Sequence, residues 1–196
     1  MGQIIKARVV EIILNKYVVL LENNKYIEAI VSGNTKSKSN IIVGDYVQIE
    51  NLYDKYVITK VYDRKNLLVR PPVSNIDQLV IVVSLASPKP DYILLDKQII
   101  LSKSMGIKPI LCINKIDLSK DNDNLKKELK YIANTYTSLV DDIIYISTID
   151  KIGINELKVI LKDKTSAFSG NSGVGKSSIT SLIINKENKQ GLKKIE

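Results

Sequence analysis

The sequence contains no histidine and no tryptophan, and it has a single cysteine, Cys112. A lone thiol excludes a disulfide within the chain. Without histidine, neither a Cys/His zinc site nor Ser-His or Cys-His nucleophilic catalysis can be built from these residues. Because Cys112 lies within the apolar run Ile-Leu-Cys-Ile, we interpret it as a core residue of a protein from a reducing compartment.

Long apolar segments are also absent. The longest, Leu-Val-Ile-Val-Val before Ser84, is far shorter than the roughly 20 residues that a helix needs to span a bilayer. The N-terminus alternates charged and apolar residues, unlike a signal peptide. The sequence therefore predicts a cytoplasmic protein that does not contact a membrane.

The composition is that of a globular protein of one or two domains, with 44% hydrophobic and 26% charged residues among 196. The formal net charge is +8. This excess of positive charge indicates a polyanionic partner such as nucleic acid, although a solvated basic surface would account for it equally well.

The most informative stretch runs from Gly170 to Ser177, Gly-Asn-Ser-Gly-Val-Gly-Lys-Ser. It fits G-x-x-x-x-G-K-[ST], the phosphate-binding loop of nucleoside triphosphatases, in which glycines let the backbone N–H groups turn toward phosphate oxygens. We predict that Lys176 reaches the β- and γ-phosphates and that the Ser177 hydroxyl binds Mg²⁺, both in catalytic roles. A Gly/Ser-rich turn capping a helix is the alternative. The predicted contacts are Gly170, Asn171, Ser172, Gly173, Val174, Gly175, Lys176, Ser177 and Ser178.

The N-terminal part of the chain is predicted to be all-β. Between residues 3 and 62, five short β-branched runs are separated by turn residues, which is typical of a small closed barrel of the OB type. Such barrels bind nucleic acid with stacked aromatics and basic side chains. Six of the ten tyrosines fall here, although tyrosine favours strands in any case. We predict Arg8, Lys36 and Lys38 as phosphate contacts.

The segment Arg-Pro-Pro-Val, residues 70–73, interrupts the strand pattern. We therefore place an OB-fold domain at residues 1–68 and a second domain at residues 69–196. In the second domain, continuous apolar runs alternate with amphipathic segments. This alternation predicts a parallel α/β sheet covered by helices on both faces.

A second motif, Asn-Lys-Ile-Asp, ends a predicted buried strand, where α/β sheets collect ligand residues. Asp117 can accept two hydrogen bonds from the N1–H and N2 amino groups of guanine. Adenine would leave this carboxylate unpaired, at a cost of about 1–3 kcal/mol. Asn114 is predicted to brace neighbouring loops, and the Lys115 stem to lie along the base. Ser147 and the Thr148 backbone N–H are predicted to approach guanine O6. Solvated or Ser-Thr turns are the alternatives for these two segments.

The order of the motifs is unusual. In ordinary GTPases the phosphate loop precedes Asn-Lys-x-Asp, whereas here it follows by about fifty residues. A barrel, then Asn-Lys-x-Asp, then the phosphate loop resembles the circularly permuted, ribosome small-subunit-dependent GTPases. The similarity covers the whole chain and includes the residues that flank the Arg-Pro-Pro-Val linker and the phosphate loop.

This resemblance implies a permuted GTPase domain that binds GTP or GDP with Mg²⁺, and an OB domain that contacts 16S rRNA. It also implies a monomer that partners the 30S subunit and couples GTP hydrolysis to late subunit assembly. Switch I, switch II and a C-terminal zinc domain follow in that family, and none occurs before Glu196. We therefore expect an N-terminal fragment with an incomplete GTPase domain, poor hydrolysis, and zinc only in the missing part. An rRNA-binding module with a vestigial nucleotide site and an adenine-specific ATPase are the alternatives.

Overall fold

The computed structural model describes residues 4–33, 40–52 and 55–184. The chain divides into two compact units, the first ending at Asn75 and the second beginning at Ile76. Within the described residues, no helix is both long enough and apolar enough to cross a membrane.

The first unit is a closed five-stranded barrel with the order β1-β2-β3-β5-β4. Strands β1 and β4 pair antiparallel to close it, and β3 and β5 pair in parallel. Alternating inward side chains fill the interior, among them the fully buried Val9, Val47 and Ile58. This is the OB-type barrel predicted from the sequence. The strands are β1 (Ile4–Ile13), β2 (Lys16–Leu21), β3 (Tyr26–Val31), β4 (Tyr46–Leu52) and β5 (Lys55–Val61).

A short ribbon follows the barrel within the same unit. Its strands, β6 (Leu67–Leu68) and β7 (Val73–Ser74), pair antiparallel, and Val73 forms a further bridge to Val43. Residues 69–75, which the sequence predicts to begin the second domain, therefore group with the barrel.

The buried Asp45 carboxylate joins this ribbon to the barrel and also forms an ion pair with Arg64. The Asp45 carboxylate is fully buried and accepts hydrogen bonds from Arg64 Nε at 2.7 Å, Arg64 Nη2 at 2.8 Å and Ser74 Oγ at 2.6 Å. The backbone N–H of Ile42 also donates to it, at 2.9 Å. Burial alone would raise the pKa of Asp45, but the bonds from Arg64, Ile42 and Ser74 together hold it below its ordinary value. Asp45 therefore stays ionised.

The second unit is built on a four-stranded parallel sheet of order β10-β9-β8-β11. Its central strand β8 is buried along its whole length, as a strand covered on both faces must be. Burial also raises the pKa of the Cys112 thiol to about 12, so this residue is an inert part of the core. The strands are β8 (Gln78–Ser84), β9 (Lys108–Asn114), β10 (Asp142–Ile146) and β11 (Ser166–Ser169).

Helices alternate with these strands, as predicted. The Asp91 side chain caps the first by accepting from Leu94 N at 3.0 Å, and Asn122 caps the second by accepting from Leu125 N at 3.1 Å. The helices are α1 (Tyr92–Ser104), α2 (Asp123–Tyr136), α3 (Ile154–Leu161) and α4 (Lys176–Ile183), with a 3-10 helix at Ile116–Ser119.

Candidate nucleotide-binding site

The predicted motifs follow strands that run in the same direction. Strand β9 ends at Asn114, which is in register with Ser84 at the end of β8 and Ile146 at the end of β10. Strand β11 pairs with β8 and leads into the phosphate loop. Because parallel strands end at one edge of a sheet, the topology brings the Asn-Lys-Ile-Asp segment and the Gly170–Ser177 loop to the same edge.

The phosphate loop, residues 170–175, connects β11 to α4 and depends on glycine geometry. Gly170 has φ +136°, and a Cβ there would lie 2.2 Å from the carbonyl oxygen of Val82, so no other residue fits. The Lys176 ammonium folds back into the loop and donates to the carbonyls of Gly170 at 2.7 Å and Asn171 at 2.8 Å. The loop thus surrounds the Lys176 ammonium with its own carbonyl groups. It precedes helix α4, whose N-terminal N–H groups no side chain caps.

Two hydrogen bonds join the Asn-Lys-Ile-Asp segment to this loop. Asn114 is buried, and its Nδ2 donates to the carbonyl of Val174 at 2.8 Å. Lys115 adopts a left-handed backbone conformation, with φ +65°, and its ammonium donates to the carbonyl of Gly173 at 3.0 Å. The two motifs, about sixty residues apart in sequence, are therefore in direct contact.

Among the described buried side-chain atoms, Asn114 Oδ1 is the one that lacks a hydrogen-bond partner. Such an acceptor is costly to bury unless a donor reaches it. Asp117 lies half-buried in the first turn of the 3-10 helix. No donor in the described part of the chain engages its carboxylate. The half-buried Asp117 carboxylate is thus available to a donor at this end of the site, whereas Asn114 Oδ1 is buried.

Ser147 forms hydrogen bonds within its own segment. It is buried, and its hydroxyl accepts a hydrogen bond from the backbone N–H of Asp150 at 3.0 Å. Its own N–H donates to the carbonyl of Ile152 at 3.3 Å. The hydroxyl therefore closes a Ser-Thr turn, which was the alternative interpretation, and this turn holds the half-buried Thr148 at the end of β10.

The remaining loop residues differ in exposure. Ser172, Ser177 and Ser178 are exposed, so the Ser177 hydroxyl is open to a ligand. Val174 is buried in the hydrophobic core beneath the loop. Its side chain anchors the loop, and its contribution to an anion site is confined to its backbone.

One neighbouring segment was missed from the sequence. The loop after β8 borders the phosphate loop, because the Ser87 carbonyl accepts a hydrogen bond from the Lys115 ammonium. Farther along it, Lys89 and Asp91 line a shallow cleft together with Gly170 and Asn171. The signal that could have found this segment is Ser84, a polar residue at the end of a buried strand.

The predicted RNA contacts lie in the first unit. Arg8 is half-buried, and its Nη2 donates to the carbonyl of Asn75 at 2.8 Å. Part of its guanidinium therefore serves the barrel itself. Lys36 and Lys38 lie outside the described residues.

Replacing Gly175 by alanine is expected to disrupt both halves of the site. Gly175 has φ +101°, and a Cβ would lie 2.2 Å from Asn114 Nδ2. We expect a loss of about 2–4 kcal/mol in the free energy of unfolding, measured by urea denaturation, and a marked loss of GDP affinity. Gly106→Ala is the control, because Gly106 also has a positive φ, +66°, but open space around it. It should cost only about 1–2 kcal/mol. Equal losses for the two variants would contradict the contact with Asn114.

The fold and the site define a class of protein. An OB-type barrel precedes a parallel α/β unit, and the Asn-Lys-Ile-Asp segment comes before the phosphate loop in sequence while touching it in space. This combination is that of a circularly permuted phosphate-loop protein.

Comparison with known sequences identifies the family. Residues 61–196 match the model of the RsgA GTPase family, and the chain belongs to it. The chain is 39% identical over 182 residues to the small ribosomal subunit biogenesis GTPase RsgA of Caldanaerobacter subterraneus subsp. tengcongensis. It is 37% identical over 150 residues to the protein of that name from Bacillus subtilis. The matches cover 91% and 76% of this chain, which spans only 59% and 50% of the two relatives.

Solved structures agree with this assignment. The crystal structure of YjeQ from Thermotoga maritima is 34% identical, with a TM-score of 0.83 over 97% of this chain and 67% of that one. YloQ, described as a circularly permuted GTPase, is 31% identical, with a TM-score of 0.76 over 90% of this chain and 63% of that one. The predicted family, its permuted order and its barrel are confirmed.

Proposed function

We propose that this chain is the guanine-nucleotide-binding part of a GTPase that acts in late assembly of the 30S ribosomal subunit. The observation that carries the proposal is the contact of Asn114 and Lys115 with the phosphate loop. This contact supports a single continuous site in which one ligand meets both motifs. A guanine nucleotide has a base and a phosphate chain that can satisfy the two motifs together.

The acceptors at one end of the site suit guanine. The Asp117 carboxylate would accept from the N1–H and N2 amino groups, a pair of donors that adenine lacks. Asn114 would hold the base segment against the loop, as it does through Val174, and the Lys115 stem would lie beside the base plane. The backbone N–H of Thr148 would approach O6 from the turn that Ser147 closes.

The other end suits phosphate and Mg²⁺. Lys176 would exchange its bonds to the Gly170 and Asn171 carbonyls for bonds to the β- and γ-phosphates. The loop N–H groups would hold the phosphate oxygens, and the exposed Ser177 hydroxyl would bind Mg²⁺. When bound, Mg²⁺ neutralises charge on the transferring phosphoryl group.

Hydrolysis also requires groups that hold the γ-phosphate and orient the attacking water. None of the residues assigned to the site orients water, and the sequence has no histidine. We therefore expect this chain to bind guanine nucleotide more readily than it hydrolyses GTP. In the whole protein, Lys176 would stabilise the charge that develops on the phosphoryl oxygens as water attacks in line.

Action on the ribosome is proposed from the names of the relatives, which are small ribosomal subunit biogenesis GTPases. The net charge of +8 supports contact between the barrel and 16S rRNA, with Arg8 among the contacts. We propose a cytoplasmic monomer with a barrel domain at residues 1–68 and a nucleotide domain that begins after residue 75. Residues 69–75 would link the two while packing with the barrel.

Titration with fluorescent GDP tests guanine recognition. Asp117→Ala should weaken GDP binding by about a hundredfold, because two hydrogen bonds to a charged acceptor are lost. Asp121→Ala is the matched control, an exposed aspartate four residues further on, and should bind as the wild type does. ATP should compete poorly with GDP. Identical curves for Asp117→Ala and the wild type would refute guanine recognition and favour a vestigial nucleotide site.

A further inference from the structure

A cluster of five side chains lies on the outer surface of the barrel, away from the inward-facing residues. Lys6 and Arg8 come from β1, Tyr46 from β4, Lys60 from β5, and Tyr62 directly follows β5. Arg8 pairs in register with Tyr46, while Gln48 is the partner of both Lys6 and Lys60. The five are thus neighbours across three adjacent strands, and we call them the β1–β4–β5 patch.

The two tyrosine rings of this patch hold the three cations. The Lys6 ammonium lies 5.0 Å from the Tyr46 ring centre and 5.5 Å from that of Tyr62. Arg8 lies 5.4 Å from the Tyr46 ring, and Lys60 lies 5.4 Å from the Tyr62 ring. These are cation–π distances. Cations therefore lie close to both rings, and a base that stacked on either ring would compete with them.

Two cations of the patch, Lys6 and Lys60, remain available to a ligand. Lys6 and Lys60 are exposed, and neither forms an ion pair with a carboxylate in the described part of the chain. Three positive charges are thus concentrated on one face and restrained by half-buried rings beneath them. This restraint reduces the conformational entropy that lysine side chains lose when they bind an anion.

We propose that the β1–β4–β5 patch binds the phosphate backbone of RNA, an inference that rests on the proposed role in ribosomal subunit assembly. Clustered, restrained cations suit a chain of phosphates, and rings already in contact with cations are less suited to base stacking. The contact is therefore independent of sequence. Tyr46 and Tyr62 act as positioning residues for the cations, in place of the base-stacking role considered for barrel tyrosines.

Binding to purified 30S subunits at about 50–300 mM KCl tests this surface, since phosphate contacts are weakened by salt. The test variant is Lys6→Gln/Lys60→Gln. The control, Lys16→Gln/Lys25→Gln, removes the same charge from exposed positions in and after β2. Arg8 is left intact because it also bonds to Asn75. The patch variant should bind at least about tenfold more weakly at low salt, with a salt slope smaller by about 1.5–2, and the control less than about threefold more weakly.

Two further variants test the tyrosines. Tyr62→Phe keeps the ring and should bind RNA as the wild type does, whereas Tyr62→Leu should bind about threefold more weakly. The loss should be equal for single-stranded and duplex RNA of one length, because both present phosphates. A loss confined to single-stranded RNA would show base stacking and overturn the positioning role.

The outcomes separate the patch from the wider function. Suppose that the wild type binds 30S subunits and the patch variant binds no more weakly than the control. RNA binding by the patch is then refuted, while the proposed ribosomal function stands. If the wild type does not bind 30S subunits at low salt, the ribosomal function fails and the patch with it. Thermal unfolding of each variant, expected to match the wild type, confirms that the barrel is intact.

Discussion

The Lys176→Ala variant is expected to bind GDP·Mg²⁺ about a hundredfold more weakly than the wild type. In the wild type, the ammonium lies within the loop, bonded to Gly170 and Asn171, and it can turn to phosphate with little movement. Alanine removes the charge-assisted bond to the β-phosphate and the charge that neutralises the phosphate chain. Isothermal titration measures the affinity directly.

A thermal shift provides a second measurement of the same effect. GDP at about a hundred times its dissociation constant should stabilise the wild type by about 2.7 kcal/mol, and this stabilisation should nearly disappear in Lys176→Ala. Lys164→Ala is the control, because Lys164 is exposed and lies before the loop. Normal GDP binding by Lys176→Ala would show that the phosphates do not lie in the loop, and the proposed site would then be wrong.

The Arg64→Leu variant is expected to lose about 3–5 kcal/mol of unfolding free energy at pH 7. The change leaves the fully buried Asp45 carboxylate without its cation, and a buried unpaired charge is strongly destabilising. Asp45→Asn/Arg64→Leu removes that charge and should recover part of the loss. Urea unfolding followed by tyrosine fluorescence is suitable, since the chain has no tryptophan.

The pH dependence of stability should change sign between the wild type and Arg64→Leu. In the wild type the folded pKa of Asp45 lies below its ordinary value. The free energy of unfolding that ionised Asp45 contributes is therefore fully present above the unfolded pKa, about 3.9. This contribution is lost as the pH falls through the folded pKa. In Arg64→Leu, burial without the cation would raise that pKa. The variant should then be more stable at pH 5 than at pH 7. Parallel pH profiles would contradict this account of the ion pair.

Much of this architecture could be predicted from local patterns. Alternating β-branched residues indicate the barrel strands, and continuous apolar runs indicate the parallel sheet. The candidate phosphate loop and Asp117 were predicted from motif spacing and from their place after strands. What local patterns could not show was the use of each polar group. The Ser147 hydroxyl accepts a hydrogen bond within its own turn, and the Arg8 guanidinium donates one to the Asn75 carbonyl. Both bonds depend on the folded chain.

The boundary between the two units could not be predicted from local patterns either. Residues 69–75 have no strand periodicity, and two-residue strands are too short to show one. Their place beside the barrel depends on the bridge from Val73 to Val43 and on the bond from Ser74 to Asp45. These partners lie about thirty residues away in sequence. Only the tertiary pairing could assign this segment to the barrel.

The bonds from Asn114 and Lys115 to the phosphate loop also bear on how the chain could evolve. They hold together two candidate site segments that lie about sixty residues apart in sequence. The conformational entropy of bringing the two segments together is therefore lost when the chain folds, so a ligand of the proposed site would meet a preorganised surface. Because through-space contacts define the site, the order in which a gene encodes its parts is free to change. Relocated termini are compatible with an unaltered ligand geometry.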